Sequence, residues 1–149
     1  MKNPTEKLIV KRLLSADRNR VFSALTDPAK MAQWFYGMET GQARATSDFR
    51  VGGKYTIEMF NPEKNCAPTG EFLEIVRPEK LVFTWSMDGM VKNSKVTIEL
   101  FEKGNKTELV LTHELPQEVV EPHRHGWVNC LDHLEALLGK ALVQSTKQE

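Results

Sequence analysis

The stretch Gly126-Trp127-Val128-Asn129-Cys130-Leu131-Asp132-His133-Leu134-Glu135-Ala136-Leu137-Leu138-Gly139-Lys140-Ala141-Leu142 decides how this chain folds. Its large apolar residues fall at Trp127, Cys130, Leu131, Leu134, Leu137, Leu138, Ala141 and Leu142. Steps of three and four put them on one stripe of an α-helix. Asn129, Asp132, Ala136, Lys140 and Val143 fall mostly on the other side. The spacing predicts one amphipathic helix over about Pro122 to Ser145, about six turns long. A single apolar stripe of that length needs a surface to lie on, and the preceding hundred residues read as that surface.

Working outward, the period before the helix is two. Thr107, Leu109, Leu111 and His113 alternate with Glu108, Thr112 and Glu114. Before the tight turn Lys103-Gly104-Asn105-Lys106, Val96, Ile98 and Leu100 alternate with Thr97 and Glu99. Leu81, Phe83, Trp85 and Met87 form a third alternating run, set off by Arg77-Pro78-Glu79-Lys80 and a loop at Asp88-Gly89. Gly70 opens a strand in which Leu73 and Ile75 oppose Glu74. Tyr55, Ile57 and Met59 follow the Gly52-Gly53 break, in a region that turns strand-like from Gln42. The span from Asn61 to Thr69 reads as a polar loop. These hairpins predict a mostly antiparallel sheet with one apolar face. Further back, Leu8, Val10 and Leu14 predict a first strand over about Lys7 to Leu14. Ser15 and Asp17 can cap a short helix carrying Val21, Phe22 and Leu25. Asp27-Pro28 starts a second short helix ahead of Met31, Trp34 and Phe35.

The architecture expected is therefore α+β: a curved antiparallel sheet wrapped around a long C-terminal helix, with two short helices near the N-terminus. A chain of 149 residues fits one domain spanning 1–149 and can bury roughly 70% of its unfolded surface. Twenty basic residues balance twenty acidic ones and neither sign forms a long block; the first twenty residues lean basic, too dilutely for a nucleic-acid footprint. No run approaches the ~18 apolar residues of a membrane span. The N-terminus lacks the apolar run of a signal peptide, and Cys66 and Cys130 have no ligand-like spacing. A cytoplasmic chain with both thiols reduced is expected, as a monomer or weak homodimer.

Several stretches carry a family resemblance. They are Ala16-Asp17-Arg18-Asn19-Arg20-Val21-Phe22, Thr26-Asp27-Pro28, Gln33-Trp34-Phe35 and Asp48-Phe49-Arg50-Val51-Gly52-Gly53. With them go Pro78-Glu79-Lys80-Leu81-Val82-Phe83-Thr84-Trp85, Leu111-Thr112-His113 and Gly126-Trp127. In this order they resemble the START-like, helix-grip (SRPBCC) superfamily, and within it the subfamily named for the activator of heat-shock protein 90 ATPase. The resemblance implies a hydrophobic cavity between sheet and helix, since the superfamily includes lipid carriers, aromatic polyketide cyclases and plant hormone receptors. It also implies, as an alternative, a chaperone co-factor with a stress-response role. The eukaryotic activator carries a large N-terminal domain, whereas a stand-alone START-like domain is expected here.

Strand parity points Tyr55, Ile57, Met59, Leu73, Ile75, Phe83, Trp85, Met87, Val96, Ile98, Leu100, Leu109, Leu111 and His113 at the helix stripe. Ile57, Ile98, Leu109 and Leu111 read as plain core. Tyr55, Met59, Trp85, Met87 and Trp127 suit either a packed core or a ligand cavity, because aromatic and thioether side chains line such cavities. With His113 and Leu131 they form the candidate site for a small hydrophobic, lipid-like or aromatic ligand. His113 is the titratable group expected on the inner face, and a cyclase- or hydrolase-like reaction centred on it is a further alternative. His123, His125 and His133 lack the i, i+4 spacing of a helical metal site and read as helix-start and surface residues. No catalytic residue, metal ligand or cofactor is assigned.

Overall fold

The computed structural model describes residues 5–36, 41–60 and 65–147, with side chains to residue 139. In chain order the elements are β1 (Thr5–Leu14), α1 (Arg18–Thr26), α2 (Pro28–Met31), β2 (Gln42–Ser47), β3 (Lys54–Phe60) and β4 (Asn65–Cys66). There follow β5 (Thr69–Val76), β6 (Lys80–Met87), β7 (Val91–Lys103), β8 (Lys106–Pro116), a 3-10 turn over Gln117–Val119, and α3 (Val120–Lys147). The strands form one antiparallel sheet in the order β1-β8-β7-β6-β5-β3-β2, with β4 beside β3. The short β4 lies inside the stretch expected to be a loop, of which residues 61–64 fall outside the described residues.

Local chemistry explains the punctuation. Asp17 caps α1 by accepting from the Arg20 amide at 2.9 Å, and Asp27 caps α2 by accepting from Ala29 at 3.0 Å. Pro28 sits at the first helical position, where a missing N–H is no loss. The chain then turns, and the Trp34 indole donates to the Ala24 carbonyl at 2.8 Å, fixing Trp34 and Phe35 against α1. Lys103 pairs with Lys106 across a two-residue turn whose Gly104 adopts φ 64°, a conformation that side chains resist.

Period two places Tyr55, Ile57 and Met59 of β3, Phe83 and Trp85 of β6, and Val96, Ile98 and Leu100 of β7 in the core. Leu109, Leu111 and His113 of β8 join them, while Met87 and Ile75 pack against the core half-buried. Leu73 departs from expectation. The β5–β6 register shifts between Phe72 and Glu74, so Phe72 turns inward at 4% exposure and Leu73 turns outward at 43%. One inserted residue moves every later side chain of the strand to the opposite face.

Trp127, Cys130, Leu131, Leu134 and Leu138 of α3 are buried against the sheet, and Leu137 is half-buried. Asp132 and Ala136 face solvent, whereas Asn129 is half-buried; the side chains of Lys140, Ala141, Leu142 and Val143 lie outside the described residues. Arg12 on the edge strand β1 pins the helix, pairing with Asp132 at 2.8 Å and reaching the Val128 carbonyl at 3.4 Å. A curved antiparallel sheet closed by one long helix is the helix-grip fold.

Candidate functional site

At the N-terminal end of α3 the helix and sheet do not close completely. A cavity of about 170 Å³ remains, with one row of α3, Pro122, Gly126 and Cys130, along one side. These three are four residues apart and share a helix face. Met59 of β3, Cys66 of β4 and Trp85 and Met87 of β6 supply the sheet side. Phe35, Met59, Trp85, His123, Trp127 and Cys130 are buried and form the floor. Pro122 is exposed, and Cys66, Met87, Met90 and Gly126 are half-exposed at the mouth.

The aromatic floor is an ordered cluster. Phe35 stacks on Trp85 with centroids 5.8 Å apart at 14°, and Trp127 tilts at 45° against Trp85, 5.1 Å away. Phe35 and Trp127 meet at 5.5 Å. Phe35 reaches this place because the bonded turn after α2 carries it there.

Beneath the cluster lie two histidines whose tautomers follow from their partners. An indole N–H can only donate. Trp127 donates to His113 Nδ1 at 3.0 Å, so the His113 proton sits on Nε2 and is donated to Ser94 Oγ at 2.8 Å. The Ser94 hydroxyl donates in turn to the Trp85 carbonyl at 2.7 Å. Trp85 donates to His123 Nε2 at 3.2 Å, and His123 Nδ1 donates to the Val119 carbonyl at 2.8 Å. Burial, and to a lesser extent the neighbouring His123, hold the His113 pKa down to about 3. Burial lowers His123 as well, against a smaller opposing effect of its bond to Val119. Both rings are neutral at pH 7, and every ring nitrogen is engaged within the protein. Neither is placed to exchange a proton with a molecule in the cavity.

Of the sequence candidates, the fold brings Met59, Trp85, Met87 and Trp127 together around the cavity. His113 lies behind the two indoles, fully buried, and Leu131 is core. Tyr55 borders a separate void of about 20 Å³, and its hydroxyl donates to the Thr84 carbonyl at 2.6 Å. His123 corrects the sequence reading: it is 5% exposed, not a surface residue. The signal for it was present, because His123 precedes Trp127 by four residues and therefore shares its face. Phe35, Cys66, Met90, Pro122, Gly126 and Cys130 were likewise not assigned to a site. Among the described residues, no three His, Cys, Asp or Glu side chains gather as a metal cluster, and no helix is long and apolar enough to cross a membrane.

Comparison with known proteins supports this architecture. The family model described as activator of Hsp90 ATPase homolog 1-like protein matches residues 15–139. Among solved structures, a protein of Nitrosomonas europaea superposes with a TM-score of 0.78 at 26% identity, over 92% of this chain and 96% of that one. A protein of Chromobacterium violaceum gives 0.75 at 28% identity, over 89% and 96%. A putative uncharacterized protein from Rhizobium leguminosarum shares the fold, with a TM-score of 0.81 at 23% identity over 93% and 97%. No curated protein matches this sequence. With a family match running from the end of β1 to residue 139 in α3, this chain belongs to the activator of Hsp90 ATPase homolog 1-like family.

Proposed function

We propose that this protein binds a small apolar molecule in the cavity between the sheet and α3. The observation that carries the reading is Gly126. A glycine inside a helix costs about 1 kcal/mol relative to alanine. A Cβ at Gly126 would meet nothing within 4 Å, so close packing does not demand the glycine. It lines the cavity, and a side chain there would occupy the space. Aromatic and thioether walls give the site the apolar character that buries a ligand at roughly 25 cal/mol per Å², less the cost of association. The cavity thiols, neither of them in a disulfide, suit a reducing compartment such as the cytoplasm.

Gly126→Leu tests this reading, because its Cβ meets no neighbour within 4 Å and its side chain starts from the cavity wall. Native mass spectrometry of gently purified protein should show a retained small molecule on the wild type and none on the variant. The variant should melt at or above the wild-type temperature. An adduct retained equally by a folded Gly126→Leu protein would place the ligand elsewhere.

A further inference from the structure

We infer that the cavity selects a neutral, flat aromatic molecule of one or two rings over a fatty acid or any other anion. This rests on the binding reading above and narrows the ligand class. Size comes first. A cavity of about 150 Å³ is known to accept benzene, and this one measures about 170 Å³. A long acyl chain would leave much of its length outside.

Charge comes second. Among the described residues, no lysine or arginine lines the cavity, and its histidine has both nitrogens committed to Trp85 and Val119. His113, behind the wall, is committed to Trp127 and Ser94. The indole N–H groups of both tryptophans are used by these same bonds. A carboxylate entering the site would lose its hydration and gain no partner among the described residues, which disfavours it strongly. The shape and softness of the wall come third. Trp85 and Trp127 meet at 45°, offering a third ring both a face and an edge. Met59, Met87 and Met90 supply thioethers, whose contacts with aromatic rings are favourable and whose flexible stems adjust to a flat guest.

The test uses the full chain, with tryptophan fluorescence and calorimetry reporting binding of naphthalene, 2-naphthol, 1-naphthoate and dodecanoate. Naphthalene and 2-naphthol should bind and perturb the emission of Trp85 and Trp127. The two carboxylates should bind at least about tenfold more weakly. Gly126→Leu should abolish the naphthalene response. Should dodecanoate or 1-naphthoate match naphthalene in binding that Gly126→Leu removes, the neutral-aromatic assignment fails while the cavity remains a binding site. Absence of all binding, or naphthalene binding that survives in folded Gly126→Leu, overturns the site itself.

Discussion

Protonating His113 would set a ring N–H against the Trp127 indole N–H, and protonating His123 would do the same against Trp85. Burial disfavours the charged ring at both sites, so the folded-state pKa values lie below the ordinary histidine value, His113 at about 3. A depressed histidine means that the unfolded chain takes up protons first as pH falls. Stability is complete above about pH 6.5 and is lost progressively below it, at up to about 1.4 kcal/mol per pH unit for each histidine. Urea unfolding between pH 7.5 and 5 should show this decline before the bulk of the carboxylates titrate. His113→Asn should be less stable at pH 7 yet show a shallower slope, and an unchanged slope would mean that His113 is not held neutral. Tyr55 has a comparable residue-scale logic. Its phenol crosses beneath β5 to Thr84, and a Cβ on Gly70 would overlap the Thr84 carbonyl and come within 2.6 Å of that hydroxyl. Tyr55→Phe should cost about 1 kcal/mol from the lost hydrogen bond, measured by thermal unfolding. Ligand binding should stay unchanged, because Tyr55 borders a different void.

At the scale of elements, α3 is held by burial of one stripe, and the position within that stripe sets the consequence of truncation. Leu134 is fully buried and Leu137 half-buried. Leu134→Ala should cost roughly 2–5 kcal/mol in chemical denaturation, whereas Leu137→Ala should cost under about 2 kcal/mol. Equal losses would mean that the helix does not sit in this register. The helix was legible in sequence because steps of three and four over several turns have no strand interpretation. The strands were legible wherever the alternation ran uninterrupted. Within β5 the alternation misplaces Leu73, because the bulge reverses parity there: Phe72 faces inward before it and Ile75 packs inward beyond it, while the local composition gives no sign of the inserted residue. The site was half legible for a related reason. Inward-facing strand residues such as Met59, Trp85 and Met87 are predicted by period two. Cys66 and Met90 reach the cavity from segments with no such period, and Phe35 from a turn beyond α2.

At the scale of the whole molecule, sheet and helix close tightly around Leu131 and Leu134 and remain apart at Gly126. The opening brings five sulfur side chains, Met59, Cys66, Met87, Met90 and Cys130, to one compartment. The two thiols occupy different depths: Cys66 is half-exposed, its Sγ 3.8 Å from Met59 Sδ, while Cys130 is 2% exposed and burial pushes its thiol pKa up. Reactivity depends on the thiolate and its access. A bulky maleimide should therefore modify native protein rapidly at Cys66, and Cys130 should react only once the chain is unfolded. Peptide mapping after short labelling checks the order, with Cys66→Ser as the variant that should lose the fast phase. If mouth and floor belong to one compartment, naphthalene should slow labelling of Cys66, and protein already labelled there should no longer show a fluorescence response to naphthalene. Labelled protein that still responds fully would mean that Cys66 lies beside a route the ligand does not use, and the cavity would have to open between α3 and the turn at Met90 instead.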